Sequence, residues 1–270
     1  MKFGICNETF QGWKIDDVFT YCARLGYDAV EIAPFTLAKY VTDVPAAERT
    51  RIREAAARAG VSLSGIHWVL AQADGMYLTS SDAATRTRTA QYFCDLAHFC
   101  ADLGGKVVVV GSPKQRSLLP GVTPEQGWAW ATEVFRPSVN VATQRGVTMC
   151  IEPLPAEDTN FINTAAEAVR FARQFESPNF KVILDVRAMS WEDRPVADIL
   201  RASKGEFAYV HANDKNLKGP GFGDVDFRPI AAALRDVGYD GTVSVEVFKY
   251  DEGPEVIATK SLQYLKSVFG

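Results

Sequence analysis

Apolar residues recur along this chain with two alternating periods. Short runs rich in β-branched and aromatic residues fall near 3–6, 29–33, 61–67, 106–111, 147–152, 180–185, 206–212 and 242–247, each bounded by turn formers as buried strands are. Between them, apolar positions follow the helical repeat near 15–26, 45–59, 82–103, 123–145, 164–175, 195–203, 226–237 and 254–268. Gly26, Gly60, Gly104, Gly146 and Gly238 follow helical stretches, and Asp82, Thr123 and Asp226 stand where N-caps belong. Eight strict β–α units predict α/β architecture as one closed (β/α)8 TIM barrel, a single domain over residues 1–270. A doubly wound open sheet shares the alternation but requires a glycine-rich turn after an early strand. Here the first strand runs into Asn7-Glu8-Thr9-Phe10-Gln11-Gly12-Trp13 instead.

Four of the later strands carry a chemically capable residue at or just past their C-terminal tip: Glu152, Asp185, His211 and Glu246. In a parallel barrel those tips surround one site. Three carboxylates and one imidazole converging there make a hard, oxygen-rich set suited to Mn²⁺, Mg²⁺ or Co²⁺, and unlike the sulfur- or histidine-rich sets of zinc. Such an ion could polarise a hydroxy-ketone and make the adjacent C–H acidic. Glu152 and Glu246, from opposite sides of the ring, could then move its proton from one face to the other through an ene-diolate. The expected chemistry is that of an epimerase or an aldose–ketose isomerase. Taken singly, an acid at a strand end is more commonly a cap or a surface ion-pair partner; four matched tips carry the reading.

Composition narrows the partners. The chain has 47% apolar and 23% charged residues and a net charge of −4, which points to a small-molecule ligand rather than nucleic acid or an anionic membrane. Cys6, Cys22, Cys94, Cys100 and Cys150 are odd in number and lack C-x-x-C spacing, so they read as reduced core residues and the expected location is cytoplasmic. The first residues enter a strand directly, with no signal-peptide pattern and no long apolar stretch elsewhere.

Further candidates lie in the strand-exit loops near 68–81, 112–122, 186–194 and 213–225. His67 and Trp68 could hydrogen-bond to and stack on a sugar, or serve only the structure. Lys114 and Arg116 could hold an anion, or be solvated loop charges. Gly219, Gly221 and Gly223 could admit a phosphate near a helix start, or simply turn the chain. Asn7, Glu8 and Glu31 point to the same mouth, although Glu31 equally suits a paired polar position in the barrel wall. Trp13, Trp68 and Trp191 are expected to shield the pocket, while Trp128, Trp130 and His98 are expected to be structural.

Over essentially its whole length the sequence resembles the sugar phosphate isomerase/epimerase family of xylose isomerase-like barrels, which includes the ketose 3-epimerases. The segments that carry the resemblance are Ile151-Glu152-Pro153, Leu184-Asp185-Val186, Val210-His211-Ala212-Asn213-Asp214, Val245-Glu246-Val247 and Gly219–Phe227. The resemblance implies one divalent metal ion, Mn²⁺ first, held by Glu152, Asp185, His211 and Glu246, with Glu152 and Glu246 as the acid/base pair. It also implies a carbohydrate substrate and a homo-oligomer. Where ketose 3-epimerases have a histidine and an arginine reaching the sugar, this chain has Ala188 and Leu217, and Asp158 with neighbouring Glu157 replaces a glutamate. Arg187, Lys215 or Lys218 are therefore candidates for the missing contacts.

The leading expectation is a metal-dependent sugar epimerase or isomerase acting on a ketose or keto-sugar, free or phosphorylated. The alternative is a lyase or dehydratase that expels a β-substituent from a keto-sugar, keto-inositol or 3-keto-glycoside, using His67 or Lys114 as the acid. A non-catalytic sugar-binding subunit is a third reading. A DNA-repair endonuclease on the same barrel needs a histidine-rich zinc cluster, which three histidines do not furnish.

Overall fold

The computed structural model describes residues 1–270, and its eight parallel strands close a barrel in chain order, with β8 paired back to β1. The strands are β1 (Lys2–Cys6), β2 (Ala29–Ile32), β3 (Ser62–Ile66), β4 (Val107–Val110), β5 (Thr148–Ile151), β6 (Phe180–Asp185), β7 (Phe207–Ala212) and β8 (Thr242–Val245). The helices are α1 (Ile15–Leu25), α2 (Ala46–Ala59), α3 (Ala83–Asp102), α4 (Pro124–Arg145), α5 (Ala165–Arg173), α6 (Val186–Met189), α7 (Val196–Ala202), α8 (Phe227–Asp236) and α9 (Pro254–Phe269). All eight anticipated units are present. The single-turn α6 is an addition, because the stretch after β6 reads as loop when only longer periodicity is considered. Its cause is local: the Asp185 carboxylate accepts the Ala188 N–H at 2.7 Å and caps the turn.

Helix boundaries follow the chemistry of their ends. Asp82 accepts the backbone N–H groups of Ala84 and Thr85, and Asp226 accepts that of Arg228. Thr123 with Gln126, and Thr164 with Glu167, form reciprocal capping boxes.

Period-two alternation divides the apolar residues between two cores. Val108 and Val110 belong to the large core between strands and helices, while Val107 and Val109 join Cys150, Ile183 and Tyr209 in a small core of their own. Gly65 lets β3 approach β4, since a Cβ there would lie 2.3 Å from the Val107 carbonyl oxygen. All five cysteines are free and buried. No helix is long and apolar enough to cross a membrane.

Candidate active site

Backbone pairing carries the four strand-tip residues to a common level. Asp185 and His211 are register partners across β6 and β7. Glu152 N–H donates to Val110 O at 3.1 Å and Glu246 N–H donates to Ala212 O at 3.2 Å, so each glutamate extends its ladder one residue past the strand and is held at the rim. One potential donor atom from each of Glu152, Asp185, His211 and Glu246 lies within 4.8 Å of the others, and all four residues are buried. Gly111 makes room for Glu152: a Cβ there would sit 2.2 Å from Glu152 Oε2.

The surroundings orient each side chain. Asp185 accepts from Ala188 N–H at 2.7 Å and from Asn213 Nδ2 at 2.5 Å. His211 places Nε2 3.1 and 3.2 Å from the two Glu31 oxygens and Nδ1 3.1 Å from Glu246 Oε2. The Nδ1–Glu246 approach is close but not aligned as a hydrogen bond, and both atoms are buried without a hydrogen-bond partner. Such a pair of inward-facing lone-pair atoms, beside two further carboxylates, suits a cation; Glu31, holding the far ring nitrogen, would fix the tautomer. Three carboxylates, one imidazole and no sulfur fit a divalent ion of the Mn²⁺, Mg²⁺ or Co²⁺ type.

Without an ion, the charges of the cluster and its neighbours set one another's proton affinities. Burial, together with the charges of Glu246 and Asp185, pushes the Glu152 carboxyl up to about 8. Burial and Glu246 push Asp185 up to about 6. Burial alone would lower His211, but Glu246 and Glu31 outweigh it and hold the imidazole well above its ordinary range. Burial likewise opposes the charged form of Glu31, yet His211 and His67 bring that carboxyl down to about 2. Negative charge is crowded on the Glu152 side and neutralised on the Glu31 side.

A cavity of about 230 Å³ opens above the cluster, lined by His67, Trp68, Val109, Gly111, Ser112, Pro113, Glu152, Leu154, Asp158, Arg187, Leu217, Glu246 and Phe248. Glu152 and Glu246 belong to both cavity and cluster, whereas Asp185 and His211 lie outside its lining. His67 is buried, with Nε2 2.9 Å from Glu8 and Nδ1 3.5 Å from Glu31. Burial would lower its pKa, but these two carboxylates raise it to about 9. Arg187 reaches Asp158 at 2.8 Å and Glu157 at 2.9 Å.

Several of the expected residues lie away from the cavity or are engaged elsewhere. Lys114 and Lys215 are exposed and do not line the cavity, because their loops direct them to solvent. Glu157 is exposed and meets Arg187 from outside the lining. Lys218 is taken up by an ion pair with Glu252. Arg116 is 1% exposed and donates to the backbone carbonyls of Val110, Glu152 and Ile162, so it braces loops and is not positioned to hold an anion. Gly219 abuts Ser261 and Gly223 abuts Asp214, and α8 beyond them begins with the acidic cap Asp226; none of this welcomes a phosphate. Trp191 is 56% exposed, and Trp13 packs on Phe10 and Tyr21, so of the three tryptophans only Trp68 lines the cavity.

Sequence reasoning undervalued Glu31, which is fully buried and touches His211, His67 and Tyr209. An ionisable residue inside the apolar run of β2 was its signal. Gly111, immediately after four valines, and Phe248, two residues beyond Glu246, were detectable by position alone.

A closed (β/α)8 barrel with this carboxylate–imidazole cluster at its C-terminal mouth has the layout of a TIM-barrel enzyme site. The family model described as xylose isomerase-like TIM barrel matches residues 19–268, and the chain belongs to that family. Among curated relatives, D-psicose 3-epimerase of Ruminiclostridium cellulolyticum is 29% identical over 253 residues, spanning 92% of this chain and 84% of its own. The 3-dehydro-D-guloside 4-epimerase of Escherichia coli is 26% identical, spanning 99% and 100% respectively. A solved structure of D-psicose 3-epimerase with D-tagatose, from Clostridium cellulolyticum, superposes with a TM-score of 0.88 at 23% identity, covering 100% of this chain and 99% of that one. These relatives are epimerases, and the chain is accordingly an enzyme of the isomerase class.

Proposed function

We propose that this chain is a divalent-metal-dependent sugar epimerase that inverts a carbon next to a carbonyl by proton removal and return. The observation that carries this reading is that Glu152 and Glu246 line the cavity while sharing a compact donor cluster with Asp185 and His211. A divalent ion held by these four, Mn²⁺ for preference, would supply the Lewis acidity that makes the C–H beside a carbonyl labile. One glutamate takes that proton as a carboxylate, leaving a planar ene-diolate, and the other delivers a proton to the opposite face, which inverts the centre. The relatives named above, a ketose 3-epimerase and a keto-glycoside 4-epimerase, both support an α-hydroxyketone substrate.

The test is deuterium incorporation followed by NMR. Mn²⁺-reconstituted protein in D₂O, given free ketoses, ketose phosphates and 3-keto-glycosides, is expected to label the carbon α to the carbonyl in an epimer, and Glu152→Gln and Glu246→Gln should each abolish it. Labelling that survives in both variants would refute the assigned roles. Release of a substituent in place of epimer formation would replace the epimerase with a lyase, for which cavity-lining His67 is the available acid.

A further inference from the structure

The cavity is divided by polarity, and the division bears on what it accepts. Glu152, Glu246 and His67 supply polar groups, while Trp68, Leu217 and Phe248 offer half-buried apolar side chains to the same space. The Trp68 and Phe248 rings meet at 6.1 Å between centroids and 67° between planes. Apolar surface left facing a cavity in this way calls for an apolar partner.

The backbone is strained where this wall is made. Of the five non-glycine residues with positive φ, three line the cavity: Trp68 at 53°, Ser112 at 25° and Leu217 at 72°. Bulky residues in that region cost on the order of 1–3 kcal/mol each and persist only when their surroundings fix them. Fixation is visible here. The Leu217 carbonyl accepts from Phe248 N–H at 2.9 Å and Lys249 N–H at 3.0 Å, and Ser112 Oγ accepts from Leu70 N–H at 3.1 Å. The fold thus holds a leucine at a position where asparagine or glycine would be easier.

The cavity has no unengaged basic side chain in its lining, since His67 lies against Glu8 and Glu31. Its only lining arginine, Arg187, is engaged by Asp158 and Glu157 and lies 5.6 Å from the Phe248 ring centroid. No lysine lines it, and Glu152, Asp158 and Glu246 supply acidic groups. A phosphate dianion would find no free arginine or lysine among these lining residues.

Resting on the epimerase reading above, we infer that the substrate is an unphosphorylated keto-sugar bearing an apolar substituent, such as a keto-glycoside with an aromatic aglycone seated against Trp68, Leu217 and Phe248. The experiment compares phenyl and methyl 3-keto-β-glucosides with free and phosphorylated ketoses, using Mn²⁺-loaded full-length protein in D₂O. Calorimetric titration with phenyl and methyl β-glucosides supplies a readout that needs no turnover. Burial of a phenyl ring against this wall should favour the phenyl compound by about tenfold or more in both affinity and kcat/KM, chiefly through KM. Leu217→Asn keeps the size and suits the positive φ, so it should fold at least as well while bringing the phenyl-to-methyl ratio towards one. Equal kcat/KM for the two glycosides, preference for a phosphorylated ketose, or an undiminished ratio in L217N would each overturn the inference. Exchange confined to free ketoses would also overturn it and leave the epimerase reading intact; exchange with no α-hydroxyketone of any kind would remove both.

Discussion

Replacing Arg116 by methionine tests whether this buried guanidinium holds Glu152 in place. Arg116 donates from Nη1 to Glu152 O at 2.6 Å and Val110 O at 3.3 Å, and from Nη2 to Ile162 O at 3.2 Å. Two of those acceptors keep a backbone donor without it: Val110 O retains Glu152 N–H and Ile162 O retains Leu154 N–H. Glu152 O retains none. One buried acceptor is therefore orphaned outright, at about 1–3 kcal/mol, and the other two bonds are lost from carbonyls that stay paired. Against this, burial already penalises the guanidinium, lowering its pKa to about 10 despite the nearby Glu152 and Asp158 charges, so removing it returns part of that cost.

The balance is a loss of about 2 kcal/mol in urea denaturation and a fall in Tm of about 4–8 °C. Because the freed carbonyl belongs to Glu152 itself, kcat should fall by about tenfold or more as its carboxylate loses its aim. Arg116→Lys, with one ammonium to serve Glu152 O, should fall between the two. A methionine variant within about 0.5 kcal/mol of the parent and with full kcat would refute the bracing role.

Gly111→Ala places a methyl where Glu152 Oε2 now lies, 2.2 Å from the new Cβ; deuterium exchange should drop steeply while the Tm falls little, and an unchanged exchange rate would contradict the cradle. For the metal-free protein, Glu152 is pushed from 4.5 to about 8 by burial and its acidic neighbours, and Asp185 from 3.8 to about 6 by burial and Glu246. His67, although burial opposes it, is raised from 6.5 to about 9 by Glu8 and Glu31. Over these ranges the folded chain binds more protons than the unfolded chain, so stability should fall as pH rises from about 4 to about 9. A bound divalent ion takes over the role of those protons, so the Tm increment from Mn²⁺, followed by thermal melts at pH 5 to 8, should widen with pH. An increment that narrows would count against the cluster as a cation site.

Barrel topology was legible because it depends on repeated local signals. Strand runs recur in each unit, the positive-φ glycines Gly26, Gly60, Gly104, Gly146 and Gly238 follow five of the helices and Asp82, Thr123 and Asp226 cap three, and errors at single ends do not alter the count. The tip residues Glu152, Asp185, His211 and Glu246 could likewise be brought together from strand register alone. What sequence did not disclose was direction beyond the backbone. Lys114 and Arg116 stand two residues apart in one loop, yet one meets solvent and the other is sealed beneath Glu152. Nothing in their spacing separates those fates, which are set by carbonyls from two other segments. Glu31 presented the converse difficulty: its contacts come from Cys6 on β1, His67 just past β3 and His211 on β7, so its role emerges only when the ring is closed.

That closure makes the polar centre a property of the whole circuit. Glu31 near the start of the chain meets His211 across 180 residues, and the joint between β1 and β8 completes the wall between them. No contiguous half of the protein contains both the carboxylate that steadies the imidazole and the groups the imidazole faces. Turnover is therefore a reporter of ring completion as much as of chemistry. New termini cut into the helix-to-strand turns at the opposite end would leave the circuit whole, whereas a nascent chain remains silent until its last strand has joined its first.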